Sequence, residues 1–208
     1  MIGTELTKQD NSPEHVFTGA GSYTGPVLAD ITCPDGTVHV TVDPAATVAR
    51  VQVRTDDPTG PVAKAVKNTR IHQTAERLTI VVPPIPPTTQ QFNHGGVFVS
   101  GNSYSTMQIN GVTFSGQGTT VIGSTGVEVL VTLPARSGVK YISENGSIHT
   151  YGVLAALKAE ATNGSVKAET VGRIEAEADN GSVKLYGVRN RSDLDVRASA
   201  GNGTVKEF

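Results

Sequence analysis

The sequence predicts an all-β protein built as a β-solenoid, a repetitive stack of β coils. Three observations support this fold class. Asn-Gly-Ser/Thr triplets recur four times in the last third of the chain, and apolar and polar residues alternate with a period of two around each triplet. The chain is also rich in turn-forming residues, with 23 Gly and 11 Pro among 208 residues, whereas aromatic residues make up only 5%.

The triplets set the register of the repeat. When they are aligned, the residues six, four and two positions before each Asn and three positions after it are apolar or small. The column six before contains Val139, Leu157, Ile174 and Val196, and the column four before contains Tyr141, Ala159, Ala176 and Ala198. Side chains alternate across a strand, so this pattern predicts a strand on both arms of each triplet. Residues 154–161 also favour helix, but so short a helix is unstable alone and the first copy carries Val, Ile and Tyr.

The Asn-Gly pairs are predicted to be structural turns, because an Asn-Gly step readily reaches positive φ. The turn residues are Asn145, Gly146, Asn163, Gly164, Asn180, Gly181, Asn202 and Gly203. A second corner is expected near Gly152, Gly172 or Gly187. One such unit cannot bury its apolar face, so neighbouring units must stack, and the alanine columns indicate a narrow interior.

Four segments are predicted along the chain. They are an extended N-terminal arm (1–30), the N-terminal β part of the solenoid domain (31–87), a Gly/Ser/Thr-rich inserted β-flap (88–125) and the C-terminal β-repeat (126–208). Alternation predicts strands at 36–42, 48–54, 78–82 and 127–133. One short helix is expected at 61–68, because Pro61 follows a turn-forming Asp-Pro-Thr-Gly stretch and suits a first helical position.

The flap is predicted to be an interaction surface, together with the polar N-terminal arm. Between Thr88 and Gly126 there is no Asp, Glu, Lys or Arg, and charged side chains are disfavoured at the centre of contact patches. Its aromatic residues are Phe92, Phe98, Tyr104 and Phe114. The alternative is a flap that packs on its own sheet.

The residues predict no enzyme, no cofactor and no metal site. The five histidines are scattered without the spacing of metal ligands, and His39 and His149 occupy outward strand positions. Carboxylates that could form a hydrolytic pair alternate with lysines instead. These residues are Glu160, Glu175 and Glu177 with Lys158, Lys167 and Lys184, and we expect charge pairs across neighbouring strands.

Tyr151 and Tyr186 share a repeat column. They predict a stabilising aromatic ladder, with sugar stacking as the alternative.

The charge balance and the absence of targeting patterns limit the classes of partner and the expected location. With 17 Lys+Arg against 19 Asp+Glu, the chain lacks the basic excess of a nucleic-acid-binding protein. The first ten residues resemble no secretory signal and no run is long enough to span a membrane, so we expect a cytoplasmic or virion component rather than a cell-surface one. The single Cys33 excludes an internal disulfide and is expected to be a small buried residue.

The order of these parts resembles the bacterial "putative adhesin" β-strand-repeat family, also called toastrack proteins. The resemblance covers residues 30–85 and 126–208, and includes a Gly-Thr-Val-His-Val-Thr-Val strand, a Val-Glu-Val-Leu-Val-Thr-Leu-Pro strand and the Asn-Gly-Ser repeats. It implies a β-solenoid without a known catalytic site, associated with surfaces. The chain departs from the family in having Asn-Gly-Ser where Ser-Gly-Asp is common, and in its longer 88–125 insertion.

These observations predict a non-catalytic structural subunit that docks on or decorates a larger assembly, a virion capsid or a cell surface. The expected partners are other protein subunits, in a homo-oligomer or on a particle. The alternative is an adhesin-like module that binds glycan or a partner protein.

Overall fold

The predicted all-β solenoid is confirmed. The structure, a computed structural model, describes residues 13–18, 23–86, 88–92, 96–100, 106–109, 112–115, 126–169, 171–187 and 195–208. Its strands are β1 (Glu14–Thr18), β2 (Leu28–Thr32), β3 (Gly36–Val42), β4 (Arg50–Arg54), β5 (Arg70–Gln73), β6 (Arg77–Val81), β7 (Thr88–Phe92), β8 (Gly96–Ser100), β9 (Thr106–Ile109), β10 (Val112–Ser115), β11 (Val127–Leu133), β12 (Gly138–Ser143), β13 (Ser147–Tyr151), β14 (Leu154–Ala161), β15 (Ser165–Glu169), β16 (Val171–Ala178), β17 (Ser182–Tyr186), β18 (Asp195–Ala200) and β19 (Thr204–Glu207).

Two sheets face each other across the core. The eight-stranded sheet has the order β1-β4-β11-β3-β13-β15-β17-β19, and the seven-stranded sheet has the order β18-β16-β14-β12-β2-β6-β5. Each coil places one strand in each sheet, as β12 and β13 do, and successive coils pair in parallel. The chain therefore winds as a solenoid and buries a narrow double-sided core.

The N-terminal and C-terminal parts interleave in this stack. Strand β3 pairs with both β11 and β13, and β2 pairs with both β6 and β12. The segment boundary predicted after residue 30 falls inside β2, a central strand of its sheet. Strand β1 pairs antiparallel with β4 at the edge of the eight-stranded sheet.

The predicted helix is confirmed as α1 (Pro61–Lys67), with Pro in its first turn and Asn68 as the C-cap. Its buried residues are Val62, Ala63, Ala65 and Val66. The helix packs beside β1 and β11, and so covers apolar surface at the N-terminal end of the stack.

Burial follows the predicted alternation. In β11 the inward residues Val127, Val129, Val131 and Leu133 are all at most 2% exposed. The column that starts with the large Tyr141 continues with the small Ala159 and Ala176, and all three are buried. Cys33 is fully buried as predicted.

The predicted positive φ at the Asn-Gly glycines is wrong. The left-handed glycines of the repeat are instead Gly152 (φ 84°) and Gly187 (φ 72°), at the second corner, whereas Gly172 lies inside β16. The physical reason is the topology. An Asn-Gly pair links a strand of one sheet to a strand of the other, as between β12 and β13, so the chain bends without reversing as a hairpin does.

Glycine is required at these corners because successive coils approach backbone to backbone. A Cβ atom on Gly164 would lie 1.7 Å from the carbonyl oxygen of Gly146. A Cβ on Gly181 would lie 1.5 Å from the oxygen of Gly164, and one on Gly203 would lie 1.5 Å from that of Gly181. No side chain fits between coils stacked so closely.

The flap departs from the same kind of corner. It connects β6 of the seven-stranded sheet to β11 of the eight-stranded sheet, the step that an Asn-Gly pair makes in later coils. Within it, β7 pairs antiparallel with β8, and β9 with β10. Phe92, Phe98 and Phe114 belong to β7, β8 and β10, and Tyr104 lies outside the described residues.

Candidate binding face on the eight-stranded sheet

A row of basic residues crosses the outer face of the eight-stranded sheet. Parallel pairing in register places equivalent residues of successive strands side by side. The row, called the basic row below, contains His39 on β3, His149 on β13, Lys167 on β15, Lys184 on β17 and Lys206 on β19. Neighbouring strands lie about 4.8 Å apart, so these five side chains form a line across five consecutive strands. The histidine rings at its start are 5.1 Å apart, edge to face.

The lysines of this row have no carboxylate partner within the described ranges. The predicted pairing is confirmed for Lys158, whose Nζ lies 2.8 Å from Glu175 and 3.1 Å from Glu160. It is wrong for Lys167 and Lys184. These two lysines project from the eight-stranded sheet, whereas the glutamates belong to the seven-stranded sheet, so the solenoid core separates the two sets.

A row of hydroxyl groups runs along one side of the basic row. It contains Thr37, Ser147, Ser165, Ser182 and Thr204, one from each of the same five strands. The Ser165 hydroxyl donates to Ser147 Oγ at 3.1 Å, and the Ser165 backbone N–H approaches the same oxygen at 3.2 Å. Hydroxyls in this row therefore link neighbouring coils and present donors and acceptors beside the lysines.

A row with exposed aromatic rings runs along the other side. Tyr151 and Tyr186 are 40% and 37% exposed. The predicted ladder between these two tyrosines is wrong, because Glu169 pairs in register with Tyr186 and occupies the strand between them. Tyr151 instead lies parallel to the His39 ring at 6.3 Å, and Tyr186 stacks on Phe208 at 4.9 Å.

The centre of the face contains lysine and histidine side chains and one carboxylate, that of Glu169, two residues after Lys167 on β15. Partial burial lowers the pKa of His149, and the neighbouring Lys167 and His39 lower it further. At the N-terminal end, Glu128 lies 3.7 Å from His39 Nε2 and accepts a 2.6 Å hydrogen bond from Arg54 Nε. A hollow of about 290 Å³ opens there, between Thr37, His39, Arg54 and Glu128 among others.

The asparagines of the four corners form a ladder of side-chain hydrogen bonds along one edge of the stack. The amide of Asn163 donates to Asn145 Oδ1 at 3.0 Å, Asn180 donates to Asn163 at 3.0 Å, and Asn202 donates to Asn180 at 2.8 Å. Asn145 in turn donates to Asp35, a residue that the sequence reasoning missed. The sequence Asp35-Gly36-Thr37 could have revealed a further copy of the repeat, since it differs from the Asn-Gly-Ser triplet only by similar residues.

Among the described residues, no group of three or more His, Cys, Asp or Glu side chains is placed to hold a metal ion. No helix in the same ranges is both long and apolar enough to span a bilayer.

No protein-family model matches the sequence, and no curated protein matches it. A solved structure described as a "putative cell adhesion protein" from Clostridium sporogenes is similar over 94% of this chain and 98% of its own, with a TM-score of 0.59 and 10% identity. A "putative adhesin" from Bacteroides fragilis is less similar, with a TM-score of 0.39 and 11% identity over 93% of this chain and 97% of its own. A "putative adhesin" from Parabacteroides distasonis has a TM-score of 0.34 and 11% identity over 95% of this chain and 71% of its own. The Clostridium sporogenes structure shares the fold of this chain. The resemblance to the "putative adhesin" family is confirmed at the level of fold.

Proposed function

We propose that this protein is a non-catalytic, adhesin-like binding module that contacts its partner through the outer face of the eight-stranded sheet. The observation that carries the proposal is the composition of that face. Lysines without an ion-paired carboxylate in the described part of the chain lie between a row of hydroxyls and a row in which Glu169 separates two exposed tyrosines. Such a face binds by charge, hydrogen bonding and ring stacking, which suits a glycan partner.

The shared fold supports this function over decoration of a capsid. The Clostridium sporogenes protein is described as a "putative cell adhesion protein", and the virion role predicted from the sequence has no support of this kind. We therefore propose a cell-surface location, in contrast to the cytoplasmic or virion location that the sequence predicted.

An array of immobilised neutral and acidic glycans tests the proposal. We expect the wild-type protein to be retained on a subset of glycans, and the Tyr151→Ser/Tyr186→Ser variant to lose that retention. The matched control is Ile142→Ser/Val81→Ser, which removes two apolar side chains of similar exposure (37% and 38%) from the seven-stranded sheet. The proposal fails if no glycan retains the protein, or if both double variants bind like the wild type.

The flap remains a second candidate contact surface, because residues 88–125 contain no Asp, Glu, Lys or Arg. Replacing 88–125 with a short Gly-Ser linker removes Phe92, Phe98, Tyr104 and Phe114 together. If the shortened protein remains folded but loses glycan retention, the contact belongs to the flap rather than to the sheet. Sedimentation of the same two proteins measures the self-association that the sequence predicts.

A further inference from the structure

The basic row is an unfavourable arrangement for the isolated protein. Like charges directly opposite each other on neighbouring strands are destabilising. Lys167, Lys184 and Lys206 are nevertheless in register on three consecutive strands. No carboxylate in the described part of the chain lies within ion-pair distance of any of them. An anionic ligand that lay across these strands would remove the repulsion.

The opposite sheet shows that the fold does not force this arrangement. The outward row of the seven-stranded sheet includes Asp30, Lys140, Lys158, Glu175 and Arg197 in register. Acidic residues border the two lysines of that row, and Lys158 is ion-paired with Glu175 at 2.8 Å. Charges of both signs thus lie side by side in that row, whereas the basic row contains only lysines and histidines.

The direction of the basic row selects a linear partner. The row runs perpendicular to the strands. Each strand contributes one lysine or histidine, so these groups repeat about every 4.8 Å, the distance between neighbouring strands. A folded protein would have to present anions along a straight line to match it. A polymer with a regularly repeated acidic group presents such a line in its ordinary extended form.

The hydroxyl row and the row with the exposed tyrosines, on either side of the basic row, indicate a sugar polymer. Exposed aromatic rings such as Tyr151 and Tyr186 present an apolar face that can pack against a pyranose ring. The hydroxyls of Ser147, Ser165 and Ser182 can exchange hydrogen bonds with sugar hydroxyls. Single-stranded nucleic acid also presents a line of anions, and an oligothymidylate probe distinguishes it from a sugar polymer.

We propose that the outer face of the eight-stranded sheet binds a linear acidic polysaccharide whose carboxylate or sulfate groups lie along the basic row. The inference rests on the proposed function and names its ligand class. The polysaccharide lies across the strands, its acidic groups pair with Lys167, Lys184 and Lys206, and its sugar rings contact the tyrosines.

Binding of purified polymers tests the inference. The probes are a linear polyuronate, a sulfated dextran, neutral dextran and a single-stranded oligothymidylate. We expect the polyuronate or the sulfated dextran to bind and neutral dextran not to bind. Raising NaCl from about 50 mM to about 500 mM should weaken binding strongly, since screening grows over that range.

Two double variants localise the site. Lys167→Gln/Lys184→Gln should weaken binding by about tenfold or more, because it removes two neighbouring charge contacts. The control Lys140→Gln/Lys158→Gln makes the same charge change on adjacent strands of the other sheet, and should stay within about twofold of the wild type. Thermal melting without ligand checks the fold. The basic-row variant should melt no lower than the wild type, since it relieves repulsion.

The outcomes separate this inference from the proposed function. Equal binding of neutral and acidic polymers, or equal losses in the two double variants, would overturn the inference and leave an adhesin-like role standing. Binding of the oligothymidylate as tightly as the acidic polysaccharides would overturn it in favour of a general polyanion surface. If no glycan binds at all, the inference and the proposed function both fail.

Discussion

The side-chain amide of Asn145 donates a hydrogen bond to Oδ1 of Asp35 at 2.9 Å, and so joins two residues 110 positions apart. The other carboxylate oxygen of Asp35 accepts the backbone N–H of Ile85 at 3.2 Å. The coil formed by β2 and β3 is therefore a further copy of the repeat, with Asp-Gly-Thr in place of Asn-Gly-Ser. Asp35 can accept a hydrogen bond at both oxygens, which suits the residue that begins a ladder of donated amides.

We expect Asp35→Ala to lower the free energy of unfolding by about 1 kcal/mol, the typical net value of a hydrogen bond in an exposed ladder. Asp35→Asn is the matched control. It keeps an acceptor for Asn145 but presents an amide to the Ile85 N–H, so its stability should fall between those of the wild type and the alanine variant. Urea denaturation measures all three proteins. Equal stability of the alanine variant and the wild type would show that the ladder contributes nothing at this end.

Gly164→Ala should destabilise the protein by about 3 kcal/mol or more, because the new methyl group would overlap the Gly146 carbonyl and only a backbone shift relieves the clash. The control is Gly138→Ala, whose Cβ would meet its nearest atoms at 3.5 Å, an ordinary contact. Thermal melting should separate the two variants by several degrees. A Gly164→Ala protein as stable as the Gly138→Ala protein would contradict the close approach of the coils.

The sequence predicted the strands of the repeat and their burial well, because period-two alternation and recurring triplets are local signals. It failed where the answer depends on which distant strands are neighbours. The sequence column of Lys167 and Lys184 shows that these residues face outward, but not that the glutamates of the neighbouring arm belong to the other sheet. The sequence could not show that His39 belongs to the basic row, because this depends on the pairing of β3 with β13. Net charge conceals such a row, since it averages over both sheets.

The error at the Asn-Gly corners has a related cause. Local preference correctly indicated a bend at Asn163-Gly164, but the reason for glycine there is contact with the coil below. Contacts between coils override the intrinsic preference of the dipeptide for a hairpin turn. The positive φ occurs at Gly152 and Gly187, where the sequence predicted only a second corner.

Cys33 should be unreactive in the folded protein. Burial, with a smaller contribution from the Asp35 carboxylate, raises the pKa of its thiol to about 12, and the thiolate is the form that attacks a disulfide reagent. At a pH of about 8, near the ordinary pKa of cysteine, we expect reaction only after denaturant is added. The exposed Ala155 provides a control as Ala155→Cys in a Cys33→Ala background, and that thiol should react at once. Rapid labelling of Cys33 in the native protein would contradict the burial of its side chain.

His149 should make the protein less stable as the pH falls. Its pKa lies below the ordinary value because partial burial disfavours the charged ring, and Lys167 and His39 add repulsion. The unfolded chain, where the pKa is ordinary, therefore binds the proton more readily than the folded chain. The free energy of unfolding must then rise with pH through this interval, and the contribution of His149 is lost as the pH falls below about 6.5. Urea denaturation at a pH of about 7.5 and of about 5.5 should show a smaller change for His149→Gln than for the wild type.

A titration of the imidazole C–H resonances by NMR follows His149 directly, and Lys167→Gln tests the source of the shift. Removing that neighbouring cation should raise the pKa of His149 towards its ordinary value, while burial keeps it from reaching that value. The two effects are separable because the glutamine changes the charge of the basic row but not the packing of β13. A pKa of His149 at or above about 6.5 in the wild type would contradict the partial burial of its ring and the repulsion from Lys167 and His39.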